Sequence, residues 1–278
     1  MIKYLLLGAA AAAAAAAAAQ IAVAGNVVRR KTHIISDAKI PPSFDGFRIL
    51  LMSDLHDRRL SDSKITEIIA GARPDVILMA GDMHNRGCTR RDFLRLAEFA
   101  CRQCPTYMVL GNHDPYPGHR EYCSYMRALY RVGVRFPSAG GSVLRRETGS
   151  ISLYGLGWNA DADALDINPS DFSILLTHSP VVFDDRRDVA DLTVAGHIHG
   201  GFIELPFVGA VFSPGENIPL HKRLNKTYFF PKYYKGEYRR GARRLIVSRG
   251  LGCSGVPFRF IPGETDLLIL RHASGTGV

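Results

Sequence analysis

The sequence predicts an α/β protein, a four-layer α/β/β/α sandwich preceded by an N-terminal hydrophobic helix. Three observations predict it. Between Phe47 and Asp114, short apolar runs alternate with helix-length amphipathic ones, the rhythm of a largely parallel sheet with helices on its faces. Past Val132 the apolar runs shorten and turn glycines separate several of them, which reads as a second sheet packed on the first. Residues Tyr4 to Val28 carry no charge, and Ala9 to Ala19 are all alanine.

That uncharged stretch opens the chain. In helix, 25 residues would span the ~30 Å hydrocarbon core of a bilayer with some tilt. Leu5, Leu6, Leu7, Ile21 and Val23 must supply much of the insertion energy, because alanine is only weakly apolar. Residues 1–30 are therefore expected to be a single-pass membrane anchor. Two other readings stay open: a signal peptide cut after Ala22-Val23-Ala24, followed by export, and a soluble alanine-rich helix. Arg29, Arg30 and Lys31 outweigh Lys3, which leans towards a cytoplasmic catalytic domain by about one charge and leaves the side of the membrane open.

Residues 31–44 are polar, contain prolines and read as a linker to a domain over 45–272, with 273–278 as a tail. The domain begins with a strand, Phe47 to Met52, that ends in Ser53-Asp54-Leu55-His56. A helix over Ser61 to Ala70 follows, with Ser61 as N-cap and Ile65, Ile68 and Ile69 on one face. Strand Val76 to Met79 leads into Gly81-Asp82. After a helix from Arg91 to Cys101, strand Tyr107 to Leu110 leads into Gly111-Asn112-His113-Asp114. The second sheet is assigned Val143 to Arg146, Ile151 to Tyr154, Ile174 to Leu176, Leu192 to Ala195, Leu245 to Val247 and Leu267 to Leu270.

A chain of 278 residues can bury a sizeable core, so a metal is not needed for folding and would be there for chemistry. Five cysteines cannot all pair within one chain; Cys101 and Cys104 form a lone C-x-x-C near a helix end, and reduced, partly buried thiols are the expectation.

Five polar clusters stand at predicted strand ends, where open α/β sheets place their ligands: Asp54-x-His56, Gly81-Asp82, Gly111-Asn112-His113-Asp114, Thr177-His178 and Gly196-His197-Ile198-His199. Asp54-x-His56 and Gly81-Asp82 alone are weak signals, Gly111-Asn112-His113-Asp114 is a stronger one, and the closely spaced His197 and His199 lie between. In series within one domain they offer carboxylates, an amide oxygen and imidazoles to a common site. Such mixed oxygen and nitrogen donors suit Mn, Fe or Zn, and suit Mg less well. Residues two apart in extended chain face the same way, so Asp54 with His56, and His197 with His199, can aim at one point.

The series D-x-H, G-D, G-N-H-D, H, G-H-x-H is similar to the calcineurin-like metallophosphoesterases. Leu205-Pro206-Phe207, Phe212-Ser213-Pro214, Lys235-Gly236 and Val247 to Gly252 resemble their membrane-associated bacterial branch, some members of which act on phospholipids or UDP-diacylglucosamine. The resemblance implies the four-layer fold, two divalent metal ions and a phosphoesterase acting on a phosphomonoester or phosphodiester. Carried onto this chain, one ion is held by Asp54, His56, Asp82 and His199. The other is held by Asp82, Asn112, His178 and His197, with Asp82 bridging. In the mechanism this resemblance implies, a metal-activated hydroxide attacks phosphorus in line, and His113, beside the scissile phosphate, donates to the leaving oxygen or stabilises the transition state. Asp114 either orients His113 or caps a turn. The chain departs from many relatives in reading Met83-His84-Asn85 where a further Asp is common, and in having Thr177 before His178, where Gly or Ser is frequent.

The formal charge of +9 is concentrated in one stretch. From Lys222 to Arg249 there are ten basic residues and one acid, Glu237, a net of 10 − 1 = +9. Tyr228, Phe229, Phe230, Tyr233, Tyr234 and Tyr238 are interleaved with them. This mixture suits an anionic lipid surface; a solvated loop is the bland alternative, and no nucleic-acid partner is expected. Arg249 and Arg259 flank a glycine-rich turn and are candidates to hold a substrate phosphate. The expected partners are thus a phosphate-ester substrate, lipid-linked or amphipathic, and the membrane surface. A membrane-associated metal-binding protein without catalysis is the alternative function.

Overall fold

The structure, a computed structural model, describes residues 27–85, 90–158, 160–185, 190–201, 203–205, 209–212, 231–252 and 262–274, with scattered positions before 27. Those scattered positions are helical up to Asn26. Among the described residues no helix is long and apolar enough to cross a membrane; most of the predicted anchor lies outside them.

Strand β1 (Val28–Asp37) runs parallel to the last strand, β13 (Gly263–His272), with Val28 beside Gly263 and Asp37 beside His272. This corrects the linker expected over 31–44. The strand was hidden because it lies at a sheet edge. Only His33 and Ile35 turn inward and are buried, while Arg29, Arg30 and Lys31 are exposed. The prolines belong to a single 3-10 turn, Pro42–Phe44, which buries Phe44.

The first sheet continues through β2 (Arg48–Met52), β3 (Val76–Met79) and β4 (Thr106–Met108), in the order β1-β13-β2-β3-β4. Helix α1 (Asp62–Ile69) links β2 to β3, α2 (Arg90–Gln103) links β3 to β4, and α3 (Tyr122–Val132) follows β4. Ser61 caps α1 as expected, accepting a hydrogen bond from the Lys64 amide, and Ile65, Ile68 and Ile69 are its buried face. Helix α3 was not expected. Its sequence nevertheless carries the signal: Tyr125, Met126 and Leu129 form a buried face, and Gly133 ends the helix at φ 100°.

The second sheet has the order β11-β12-β8-β7-β6-β5. Its strands are β5 (Ser142–Arg146), β6 (Gly149–Leu156), β7 (Ser173–Thr177), β8 (Leu192–Ala195), β11 (Gly236–Arg240) and β12 (Arg243–Val247). Among the described residues the short strands β9 (Ile203–Leu205) and β10 (Gly209–Phe212) pair only with each other.

Period-two alternation builds the layers. Ile49 and Leu51 of β2 face the second sheet and pack with Leu153, Ile174, Val194 and Ile246. Leu50 and Met52 point the other way, under the helices, with Ile65, Leu96 and Tyr125. The fourth layer is thin. The outer face of the second sheet is covered by the short helix α4 (Val182–Asp185), a 3-10 turn at Ala162–Ala164 and Tyr233. The carboxyl ends of β2, β3, β4, β7 and β8 come together at one edge, where the polar clusters lie.

Within the basic stretch, Lys222, Arg223 and Lys226 lie outside the described residues. Several of the others are already paired. Lys232 bonds Asp184 at 2.7 and 2.9 Å, Arg239 bonds Glu237 at 2.7 Å, and Arg244 donates to the Ile34 and Ser36 carbonyls. Gly236–Arg240 and Arg243–Val247 form a hairpin of the second sheet, not a loop. Cys101, Cys104 and Cys123 are free thiols. Burial, with Asp75 and Cys101 adding to it, pushes the Cys104 thiol up to about 12, which makes it a poor nucleophile.

Candidate metal centre

The backbone aims the site. Asp54, His56, Asp82, His197 and His199 all have positive φ, between 49° and 74°. Among the described residues only Arg73 and Glu147 are the other non-glycine residues in that region. Each such residue costs ~1–3 kcal/mol, so strain is concentrated where function would need it. Cross-loop bonds hold these conformations: the Asp54 amide donates to the Gly81 carbonyl at 3.0 Å, His56 to Asp82 at 3.1 Å, and Gly196 to His178 at 3.1 Å. Glycine gives the carboxylate of Asp54 its room. A Cβ at Gly196 would meet Asp54 Oδ2 at 2.5 Å, and one at Gly250 would meet Asp54 Cβ at 2.6 Å.

Three overlapping groups result, Asp54–His56–His199, His56–Asp82–His113 and Asp82–His178–His197, each with ligand atoms within 4.8 Å of one another. His56 Nε2 lies 3.3 Å from His199 Nε2 and 3.6 Å from Asp82 Oδ2. His178 Nε2 lies 3.3 Å from the same Asp82 oxygen, 3.0 Å from Asn112 Oδ1 and 3.0 Å from His197 Nδ1. Imidazole nitrogens facing each other this closely repel unless a proton or a cation sits between their lone pairs. The His178 Nδ1–H donates to the Ala80 carbonyl at 2.7 Å, which leaves Nε2 free to act as a ligand. The donor set therefore fits divalent cations on either side of Asp82. All seven residues named for the two ions are gathered here.

The charges agree with that use. Burial alone would raise the Asp82 carboxyl, but the imidazoles of His178, His56 and His113 hold it well below the carboxylate range. Burial would likewise lower His178, yet Asp82, Asp54 and the Ala80 carbonyl push it up to about 9. Burial pushes His56 down to about 4, and burial with the His178 charge holds His197 below its ordinary value. Without metal, the centre is an Asp82–His178 ion pair flanked by neutral imidazoles.

His113 is half-buried, its ring edge-on to His56 with centroids 4.9 Å apart, and its amide donates to Asp82 Oδ1 at 2.7 Å. Asp114 does not orient it. That carboxylate accepts from the amides of Asp82 (2.8 Å), Gly111 (2.9 Å) and His84 (3.1 Å) and from the Tyr125 hydroxyl (2.8 Å). Burial and the charge of Asp82 push Asp114 up to about 7. Four donors occupy all four of its lone-pair positions, however, so the geometry holds the anion.

Arg249 sits beside the site. A Cβ at Gly200 would meet its Cγ at 2.8 Å, and its Nε lies 3.8 Å from Glu264 Oε2. Arg259 lies outside the described residues. Two side chains were not legible in sequence. Arg58, two residues past His56, donates to the Leu251 carbonyl at 2.5 Å and to the Val27 carbonyl at 3.3 Å, tying the amino-terminal chain to the site. Trp158 lies against His178 and His197, with ring centroids 5.7 and 4.9 Å away. No motif marks either residue; contact alone reveals them.

Comparison with known proteins matches residues 47–201 to the family model described as "Calcineurin-like phosphoesterase". That range holds every candidate ligand. The chain is 32% identical to the uncharacterized metallophosphoesterase YkuE of Bacillus subtilis, over 85% of this chain and 82% of that protein. It is 25% identical to the phosphodiesterase YaeI of Escherichia coli, covering 81% of each. It is 28% identical to the uncharacterized metallophosphoesterase Cj0846 of Campylobacter jejuni over 84% of this chain, which spans 62% of that protein's length.

Proposed function

The chain belongs to the calcineurin-like phosphoesterases, metal-dependent phosphoric ester hydrolases that use two divalent ions, and from that premise we propose that it cleaves a phosphodiester carrying an apolar, lipid-type arm. One observation carries the residue assignment: Asp82 Oδ2 reaches His56 Nε2 at 3.6 Å and His178 Nε2 at 3.3 Å, so one carboxylate serves two imidazole groups. In this reading Asp54, His56, Asp82 and His199 hold one ion, and Asp82, Asn112, His178 and His197 hold the other. The mixed nitrogen and oxygen donors favour Mn, Fe or Zn. Bound there, the two ions would neutralise charge on the phosphoryl oxygens and lower the pKa of water.

The chain's own residues do the rest. His113, half-buried beside His56, is the side chain proposed to serve the leaving oxygen as acid. Arg249, beside Gly200, is proposed to bind a non-bridging phosphoryl oxygen. A second reading has a specific observation behind it: His113 also lies in a metal-capable group with His56 and Asp82, and could serve as a ligand instead.

The diester is supported by the Escherichia coli relative YaeI, a phosphodiesterase. The lipid-type arm is supported by Arg58, which joins the Val27 carbonyl to Leu251 in the turn that packs on Asp54. The uncharged segment before Val28, read as a membrane anchor, thus meets the domain beside the metal centre. The deciding experiment loads the purified protein with Mn or Zn and compares p-nitrophenyl phosphate, its bis-ester and a diacyl phosphodiester in mixed micelles. Cleavage of the bis-ester and the lipid is expected. Turnover of the monoester alone would refute the diester, and bis-ester cleavage with an untouched lipid would refute the lipid-type arm.

A further inference from the structure

Trp158 is the sole tryptophan of the chain. It follows β6, and its amide donates to the Leu110 carbonyl at 2.9 Å, which fixes the post-β6 loop against the Gly111–Asp114 loop. The indole is half-buried. Its ring meets His178 at 71° and His197 at 45°, so its edge and one flank rest on the two imidazoles of a single ligand group. The indole N–H has no hydrogen-bond partner among the described residues. A ring whose only role was to shield these ligands from water would be buried, and a solvated surface tryptophan would not touch them. A half-buried indole bordering ligands offers an apolar wall beside whatever group those ligands bind.

We infer that Trp158 determines specificity by seating the apolar arm of the ester beside the His178–His197 half of the centre. The inference rests on the two-ion hydrolase reading and deepens it by naming the residue that selects the substituent. Aromatic contact of this kind is worth about tenfold in affinity.

The test uses two phosphodiesters that share a p-nitrophenolate leaving group and differ in the other arm, methyl or phenyl. With the metal-loaded wild type, kcat/KM is expected to be about tenfold higher for the phenyl ester, through KM. Trp158→Ala should lower the phenyl ester about tenfold more than the methyl ester, and Trp158→Phe should restore most of the preference. Equal losses on both esters, or ions lost together with the ring, would make Trp158 a support for its histidines and overturn the proposal. So would Trp158→Phe behaving like Trp158→Ala, since the N–H would then be the acting group.

A binding measurement needs no turnover. Because the chain has one tryptophan, its emission reports this position alone. Phenylphosphonate should shift the emission of the metal-loaded wild type, and methylphosphonate should shift it much less. If the wild type cleaves neither ester, the hydrolase reading fails while this titration still decides the seat: equal shifts from the two phosphonates would reject it.

Discussion

Asp114 holds Asp82 by its backbone, its Oδ2 accepting the Asp82 amide at 2.8 Å while the Asp82 side chain faces His56 and His178. The bond fixes a residue at φ 52°, a conformation that its own sequence disfavours. The same carboxylate reaches Gly111, His84 and Tyr125, so one buried anion locks two ligand loops and helix α3 together.

Asp114→Asn should therefore destabilise the metal-free protein by ~1–3 kcal/mol, because the amide presents a donor where two donors already point. Tyr125→Phe, which removes one donor of four, should cost ~1 kcal/mol. Urea unfolding of the metal-free forms reads both without interference from metal binding. An unchanged Asp114→Asn midpoint would show that the loops are held by other bonds.

Shared and unshared ligands should separate cleanly. Asp82→Asn should weaken both ions, whereas His56→Ala should remove mainly the one it shares with Asp54 and His199. Elemental analysis after reconstitution with Mn or Zn should give about two ions per wild-type chain. No metal above background in the wild type would end the two-ion account.

Metal uptake should release a proton, and the sign follows from His178. In the metal-free protein Asp82 pushes His178 up to about 9, so it is protonated at neutral pH; His56, pushed down to about 4, is not. A cation must displace that proton. Affinity for the ion bound by His178 should rise about fifty-fold from pH 7 to pH 9 and then level off. The raised pKa also stabilises the metal-free fold fully below about 6.5, and that contribution is lost as pH rises through about 9. Titration calorimetry in buffers of different ionisation enthalpy would detect the proton. Affinity independent of pH across this window would mean that His178 is neutral before metal arrives.

The two readings of His113 predict opposite metal contents. As a proton donor, His113→Asn should cut kcat by ~10²–10⁴-fold with metal content close to normal. As a ligand beside His56 and Asp82, it should lose metal in step with activity.

Much of this centre was legible because each ligand sits at the end of a strand whose apolar run marks it. Strands β3 and β8 have the bounds their sequences suggest, and all seven expected ligands meet. Features set by partners far along the chain were not legible. His33 and Ile35 identify β1 only once β13, more than 200 residues later, supplies the neighbouring strand. Asp114 reads locally as a turn cap, since its acceptor role depends on loops some 30 residues away. Trp158 has no motif at all, because its meaning lies in touching His178 and His197.

The amino terminus offers the sharpest division between anchor and fold. Strand β1 begins at Val28, so deleting residues 1–27 leaves it whole, and this truncated protein should be soluble and cleave a small diester. Deleting through Asp37 is a different matter. It strips the partner strand from β13 and removes His33, whose Nε2 lies 2.9 Å from the fully buried Asp266. A buried carboxylate left without its partner costs ~3–5 kcal/mol, so the longer deletion should aggregate or unfold well below the melting temperature of the shorter one. The shorter form also isolates the basic hairpin. Lys232 pairs with Asp184 and Arg239 with Glu237, so attachment of the hairpin to anionic vesicles should be weak and should fall with added salt. Vesicle sedimentation reads this directly. Equal binding of the 1–27 deletion to anionic and neutral vesicles, or none at low salt, would leave the hairpin charges as ordinary solvated surface.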